Sequence, residues 1–310
     1  NADPSKPPDA TGLRGVVANA HYYLTNQGTA NGDVSISEYF VEFGIPVIKD
    51  KALTQSLDLN AAVRYSDYST TGSETPWKFG AVWRINDGVM VRATRSRDIR
   101  APTLYDLYAG TLLSLSGAAL DPHTNTQVGF NTGGGGNPNL KPEHGDTVTA
   151  GVSFSPGRFA GSVDFYTIEI RDAISTLSPL AILTSCEVSG GTAPSCANIV
   201  RPFPFSDHSP ANAPSLVTTV GINATKVKMS GVDVDLSYRA NLPKGQLLLR
   251  AYLGYIDKFQ TQVTADQPII DYAGWSGGGA GGVSSAIPQF KGTLSANYTI
   301  GDFGIFVQEN

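Results

Sequence analysis

Strict alternation of apolar and polar side chains constrains this chain more than any other feature. From Thr147 it reads T-V-T-A-G-V-S-F, with Val148, Ala150, Val152 and Phe154 on one side and Thr147, Thr149, Gly151 and Ser153 on the other. A period of two marks a β-strand with one apolar and one polar face. The rhythm recurs. In LDLNAAVRY, Leu57, Leu59, Ala61, Val63 and Tyr65 oppose Asp58, Asn60, Ala62 and Arg64; in VDVDLSY, Val232, Val234, Leu236 and Tyr238 oppose Asp233, Asp235 and Ser237. In FKGTLSANYTI, Leu294, Ala296, Tyr298 and Ile300 oppose Thr293, Ser295, Asn297 and Thr299. Alternation and turn signals together predict an all-β chain of about ten strands, at 34–45, 53–65, 77–85, 89–97, 145–155, 159–171, 222–240, 246–256, 288–300 and 303–310.

The connections narrow the choice. IPVIKDKA, NDG, PGR, NLPKG and GD are short, whereas SDYSTTGSETP and the spans 98–144, 172–221 and 257–287 are longer. Short and long alternate, so antiparallel neighbours place every tight turn at one end of the sheet and every long loop at the other. A structureless loop of more than about 30 residues is unusual in a compact soluble domain. The asymmetry is that of an antiparallel up-and-down transmembrane β-barrel, with short periplasmic turns and long extracellular loops. A soluble sandwich would show the same alternation. Loop asymmetry disfavours it, as does the length of 53–65 and 222–240 against a usual strand of about 5–6 residues. In the barrel, Asp58, Arg64, Arg84, Arg92, Asp233 and Asp235 face a wet lumen, and Tyr65, Tyr68, Trp77, Trp83, Tyr238, Tyr252, Tyr255 and Tyr298 gather toward strand ends. One segment resists. In FAGSVDFYTIEI the apolar phase switches at Phe165–Tyr166, which predicts a bulge or a strand that leaves the membrane there.

Composition agrees with this class. Only 16% of the 310 residues are charged, with 34 glycines and 19 prolines, as suits strands joined by long loops. No stretch approaches the roughly 20 apolar residues of a transmembrane helix, which leaves a barrel open. The net charge of −5 argues against a nucleic-acid partner. The chain begins in loop-like NADPSKPPDATG and ends at VQEN within an apparent strand, so it is expected to be a piece of a longer protein. Cys186 and Cys196 lie in TSCEVSGGTAPSCAN. A disulfide there would close a small loop, contribute about 3 kcal/mol and imply an oxidising compartment or the cell exterior. Two free thiols are the plainer alternative, and a metal site lacks nearby histidines.

RATRSRDIRAPTLYDLYAG, from Arg92 to Gly110, followed by NPNLKPEHGDTVTAGVSFSP, resembles the paired signature of TonB-dependent outer-membrane receptor barrels. INATKVKMSGVDVDLSYR, with its Gly-Val-Asp step, is similar to another strand of that family. The resemblance covers essentially the whole chain. It implies a bacterial outer-membrane barrel of about 22 strands, plugged by an N-terminal domain. It further implies uptake of a scarce ligand such as a siderophore, an oligosaccharide or a cobalamin-like nutrient, with energy delivered by a TonB-type partner through the plug. Residues 1–310 would then be a partial barrel domain, with plug and final strands absent. Under this reading GGGG, from Gly133, is a mobile extracellular loop. Pro138 and Pro142 restrict the backbone on the way down into the next strand.

Enzyme chemistry is not expected. The chain has no G-x-S-x-G, no H-E-x-x-H, and no Walker loop, since GGGGNPN lacks the lysine and hydroxyl residue that contact phosphate and metal. His21, His123, His144 and His208 fall in loop-like sequence and read as solvated, so neither a metal site nor a cofactor is expected. Ligand contacts are expected from Arg97, Asp98, Arg100, Tyr105, Asp106 and Tyr108, a charged and aromatic cluster at the outer end of a strand that suits sugars or chelates. The same charges could instead pair with one another to order the loop base. A passive or structural outer-membrane barrel and a soluble carbohydrate-binding module are the competing functions. The expected partners are outer-membrane lipid, the TonB-type protein and a small-molecule ligand.

Overall fold

The computed structural model describes residues 25–27, 30–110, 112–115, 119–264, 267–277 and 286–310. His21 lies outside them. The chain divides into two units: a wall of Ile36–Arg100, Glu143–Ala173 and Ala224–Asn310, and a loop unit built from Ala101–Pro142 and Ile174–Asn223 with the described residues up to Ser35.

The wall is one sheet of ten long strands: β1 (Ile36–Lys51), β2 (Thr54–Tyr68), β3 (Trp77–Asn86), β4 (Val89–Arg100), β5 (Glu143–Phe154), β6 (Phe159–Thr176), β7 (Leu216–Leu242), β8 (Gly245–Gln262), β9 (Phe290–Ile300) and β10 (Phe303–Glu309). Each pairs with its neighbours in chain order, an up-and-down meander. All ten expected strands are present, and several run longer than the alternation alone marked. β1 does so most. It continues past Ile45 because the register shifts between Pro46 and Ile48. Among the described residues β1 ends the sheet's path, and proline, which cannot donate to a ladder, is tolerated at an edge or bulge.

The pairing registers sort side chains as the alternation requires. Leu57, Trp83 and Val91 lie in one row across β2, β3 and β4, and Asp58, Val82 and Arg92 in the next, on the opposite face. Ala251 and Leu294 share the apolar face of β8 and β9; Tyr252 and Thr293 share the polar one. Tyr252 thus stands mid-strand on the polar side, away from the strand ends where Trp83 and Tyr298 sit.

Leu294 remains 55% exposed and Phe165 46%. Among the described wall residues only Ala240 and Tyr272 are buried hydrophobics. The wall therefore has no second layer and no dry centre, and the sandwich reading fails.

No bulge interrupts the pairing of β6 with β5, which runs unbroken from Arg171 to Gly161. Instead the faces change character above Phe165. Glu169 and Arg171 appear on the previously apolar side, while Tyr166 and Ile168 line a cavity of about 430 Å³ on the polar side with Met229, Ile256 and Lys291. A true irregularity occurs in β7, between Ser230 and Gly231. There the Tyr166 ring crosses the backbone so closely that a Cβ on Gly231 would come within 2.5 Å of its hydroxyl. The glycine of Gly-Val-Asp is a packing requirement.

The loop unit, unlike the wall, has a core. Phe130, Ile182, Leu183 and Val217 are buried together, with Val128, Leu177 and Ile199 against them. Helix α1 (Leu104–Tyr108) and helix α2 (Pro179–Val188) belong to this unit. Gly133, Gly134 and Gly135 do not form a mobile loop. They lie in a short strand, Asn131–Gly135, paired parallel to residues 216–220 of β7 and antiparallel to Leu112–Leu115. A Cβ on Gly136 would strike the Leu107 carbonyl, so bare backbone is needed for this approach.

Candidate functional site

The motif residues build a rigid seam first. In the loop unit, Asn137 donates from Nδ2 to the Gly221 carbonyl at 2.8 Å, and its Oδ1 accepts from the Asn139 N–H at 3.0 Å. Asn223 grips Lys141 from both sides: its Oδ1 accepts from the Lys141 N–H and its Nδ2 donates to the Lys141 carbonyl, each at 2.8 Å. Leu140 is 3% exposed. Asn-Pro-Asn-Leu-Lys-Pro-Glu is thus a clamped descent into β5, with asparagine amides replacing the backbone partners a loop would lack.

Of the six expected ligand residues, three lie on β4 of the wall and three on α1 of the loop unit. Alternation puts Arg97 on one face of β4 and Asp98 and Arg100 on the other. Each of the three charges has a partner outside the trio. Arg97 binds Asp146 on β5 at 2.8 and 3.2 Å, and Arg171 of β6 shares that carboxylate. Arg100 forms a fork with Glu143 at 2.6 and 2.7 Å. Asp98 accepts from the Ser96 hydroxyl at 3.0 Å.

Tyr105, Asp106 and Tyr108 lie on α1 in the loop unit. Asp106 is engaged in a capping box: its carboxylate accepts from the Thr103 N–H at 2.8 Å and hydroxyl at 2.7 Å, and Thr103 caps the Asp106 N–H. Tyr108 is half-buried, while the Tyr105 side chain stands 73% exposed.

The wall's polar face offers a second set of groups that the motifs did not single out. Arg92 reaches across β5 to Asp164, with contacts of 2.6 and 2.9 Å. Gly151 lies between them in both registers, and a side chain there would collide with the Asp164 carboxylate. Beside this pair a cavity of about 610 Å³ is lined by Asp164, Asp233, Asp235, Tyr252, Lys291 and Thr293, among others. Alternation did mark Asp233 and Asp235 as lining, but only the registers bring them beside Lys291.

Elsewhere in the loop unit, Arg201 forks onto Asp121 at 2.7 and 2.8 Å, with side chains 8% and 0% exposed. Burial, the largest single influence, would raise the Asp121 carboxyl. Hydrogen bonds from Arg201 and Thr124, the guanidinium charge and the His123 N–H together outweigh it and hold the group below the ordinary carboxylate range. Asn212, wholly buried, donates to the Pro204 and Asp207 carbonyls and accepts from the Phe203 N–H. Cys186 and Cys196 are joined by a disulfide, S–S 2.06 Å, which ties the end of α2 to the turn after it. His123, expected in solvent, is instead 4% exposed and packed between Phe205 and His208, at ring distances of 4.3 and 4.2 Å.

A family model described as TonB dependent receptor-like, beta-barrel matches residues 5–309. Among solved structures, the siderophore receptor PirA from Acinetobacter baumannii is similar with a TM-score of 0.55 at 14% identity, over 91% of this chain and 35% of that one. A mutant of the ferric enterobactin receptor PfeA from Pseudomonas aeruginosa gives 0.56 at 15% identity, over 89% of this chain and 32% of its own. No curated protein matches in sequence. The chain spans about a third of the length of these solved receptors.

Proposed function

Because the chain belongs to the TonB-dependent receptor β-barrel family, we propose that it is part of the wall of an outer-membrane receptor that imports a scarce small ligand with energy delivered through TonB. One observation carries the reading: a sheet one residue thick whose apolar face is exposed and whose other face is charged. Such a sheet is at low energy only with hydrocarbon on one side and water on the other. The charged ends above Phe165, with Arg97, Asp146, Glu169 and Arg171, then mark where the outer face rises into the headgroup region. The plug and the remaining strands would be supplied by the rest of a longer polypeptide.

For the cargo we take a ferric siderophore, the class to which the similar PirA and PfeA are assigned by their names. Asp98 and Tyr105 are the expected contact residues best able to meet a ligand, since Arg97, Arg100 and Asp106 are held by Asp146, Glu143 and Thr103. Cells lacking the gene, and cells carrying it without TonB, are expected to lose saturable uptake of an iron-59-labelled siderophore and to retain it when both are restored. Labelled cobalamin or maltodextrin taken up in its place would redirect the cargo. Uptake indifferent to TonB would return the protein to the passive channels.

A further inference from the structure

We propose that the loop unit holds a site for a divalent transition-metal ion of the zinc class, formed by His123, Glu187 and His208, independent of the cargo route through the wall. One donor atom from each of the three side chains lies within 4.8 Å of the others. The first observation concerns hydrogen bonding around His123, whose side chain is 1% exposed. Its Nδ1 is 2.7 Å from a Glu187 carboxylate oxygen and its Nε2 is 3.0 Å from the Asp207 carbonyl oxygen. Both partners only accept, and a neutral imidazole has one N–H to give. Whichever tautomer is chosen, one of the two contacts needs an additional positive centre, either a proton or a metal ion.

The second observation decides where a metal would go. His208 stacks on His123 at 4.2 Å, with its Nδ1 on the His123 carbonyl at 3.1 Å, and it brings a third donor within 4.8 Å of those of His123 and Glu187. An N–H from Nε2 to the Asp207 carbonyl would then orient the ring and leave the Nδ1 lone pair for the ion, the usual outer-shell arrangement of a metal-bound histidine. Two imidazoles and one carboxylate suit zinc, and disfavour calcium or magnesium, which take oxygen donors.

The supporting frame is fixed. Glu187 follows Cys186 of the disulfide, and the Asp207 carbonyl is also held by the buried Asn212 at 2.6 Å. Donors in a tetrahedral zinc site lie about 3.3 Å apart, given bonds near 2.1 Å. His208 is the exposed member and closes the remaining distance by rotation. As the ion binds, it displaces the proton from between Nδ1 and the carboxylate to solvent.

The test uses protein purified in detergent from cells expressing its whole gene, stripped with chelator and titrated with ZnCl₂ against a chromophoric competitor. Saturable binding of one equivalent at this site is expected, weakened at least about tenfold by His208→Ala and by Glu187→Gln. Cobalt in place of zinc should give a tetrahedral visible absorption band that both variants lose. His208 is exposed and lies outside the buried core of the loop unit, so its replacement decides the matter if Glu187→Gln disturbs the fold. No saturable zinc binding, or an affinity unchanged by His208→Ala, overturns the proposal.

Discussion

At the residue scale, Asn223 and Asp121 show how polar side chains substitute for missing backbone partners and for a larger core. Asn223→Ala leaves both Lys141 backbone groups unmatched and is expected to cost about 1 kcal/mol per lost bond. Limited proteolysis should then cut near Lys141 sooner than in the parent. Asp121→Asn strips the buried Arg201 guanidinium of its counter-charge, and breaking such a pair costs about 3–5 kcal/mol. Faster hydrogen exchange across 119–128 and 199–212, with exchange in β2–β4 unchanged, is the expected outcome. Neither role was legible in sequence. Asn223 is one polar residue in an expected strand, and Asp121 lies in a loop with no period. Tyr105 is different, because its exposure makes it the aromatic member of the motif with a free face. Tyr105→Ala should weaken ligand binding while leaving the Thr103 capping box in place, and an unchanged dissociation constant would remove Tyr105 from the binding surface.

Among elements, the ten wall strands could be read because each carries its own signal: a side chain meets either the apolar or the polar surroundings, every second residue, over ten or more positions. Their ends were less legible, since near the loops both faces become polar and the alternation fades while the backbone pairing continues. The loop unit could not be read for a different reason. Asn131–Gly135 pairs with residues 216–220, far off in sequence, and a five-residue strand of mostly glycine has no pattern to display. α2 buries Ser185 beside Ile182, Leu183 and Cys186 and leaves Leu180 and Val188 exposed, so its apolar residues form no one-sided stripe by which a helix is recognised. Two predictions belong here. Reducing the Cys186–Cys196 bond should destabilise the end of α2 by up to about 3 kcal/mol, seen as faster hydrogen exchange over 179–198. On β9, Leu294→Arg should cost about 2–4 kcal/mol in a bilayer, whereas Asn297→Arg on the other face should cost little. The fraction of heat-modifiable, folded protein on a gel separates the two, and equal effects would contradict the assignment of faces.

For the whole molecule, the same two-faced sheet predicts how solvent reaches it. A thiol-reactive, membrane-impermeant reagent should modify Asp235→Cys in the folded receptor, while a fluorophore on Leu236→Cys should be quenched by spin-labelled lipid. The reverse pattern would turn the wall inside out. Its order, each strand beside the next in sequence, gives five pairs a tight turn to set their alignment. β4 and β5 have no such guide. They are joined through residues 101–142, too long a tether to choose among neighbouring alignments.

The ionic forks Arg97–Asp146 and Arg100–Glu143 stand on opposite sides of that pair, three rungs apart. Threading β5 one notch out of step would unfasten both and turn its oily residues toward the aqueous interior; two notches would keep the sides but still separate each base from its acid. The clasps thus favour the observed alignment over its neighbours at a seam where the tether cannot choose.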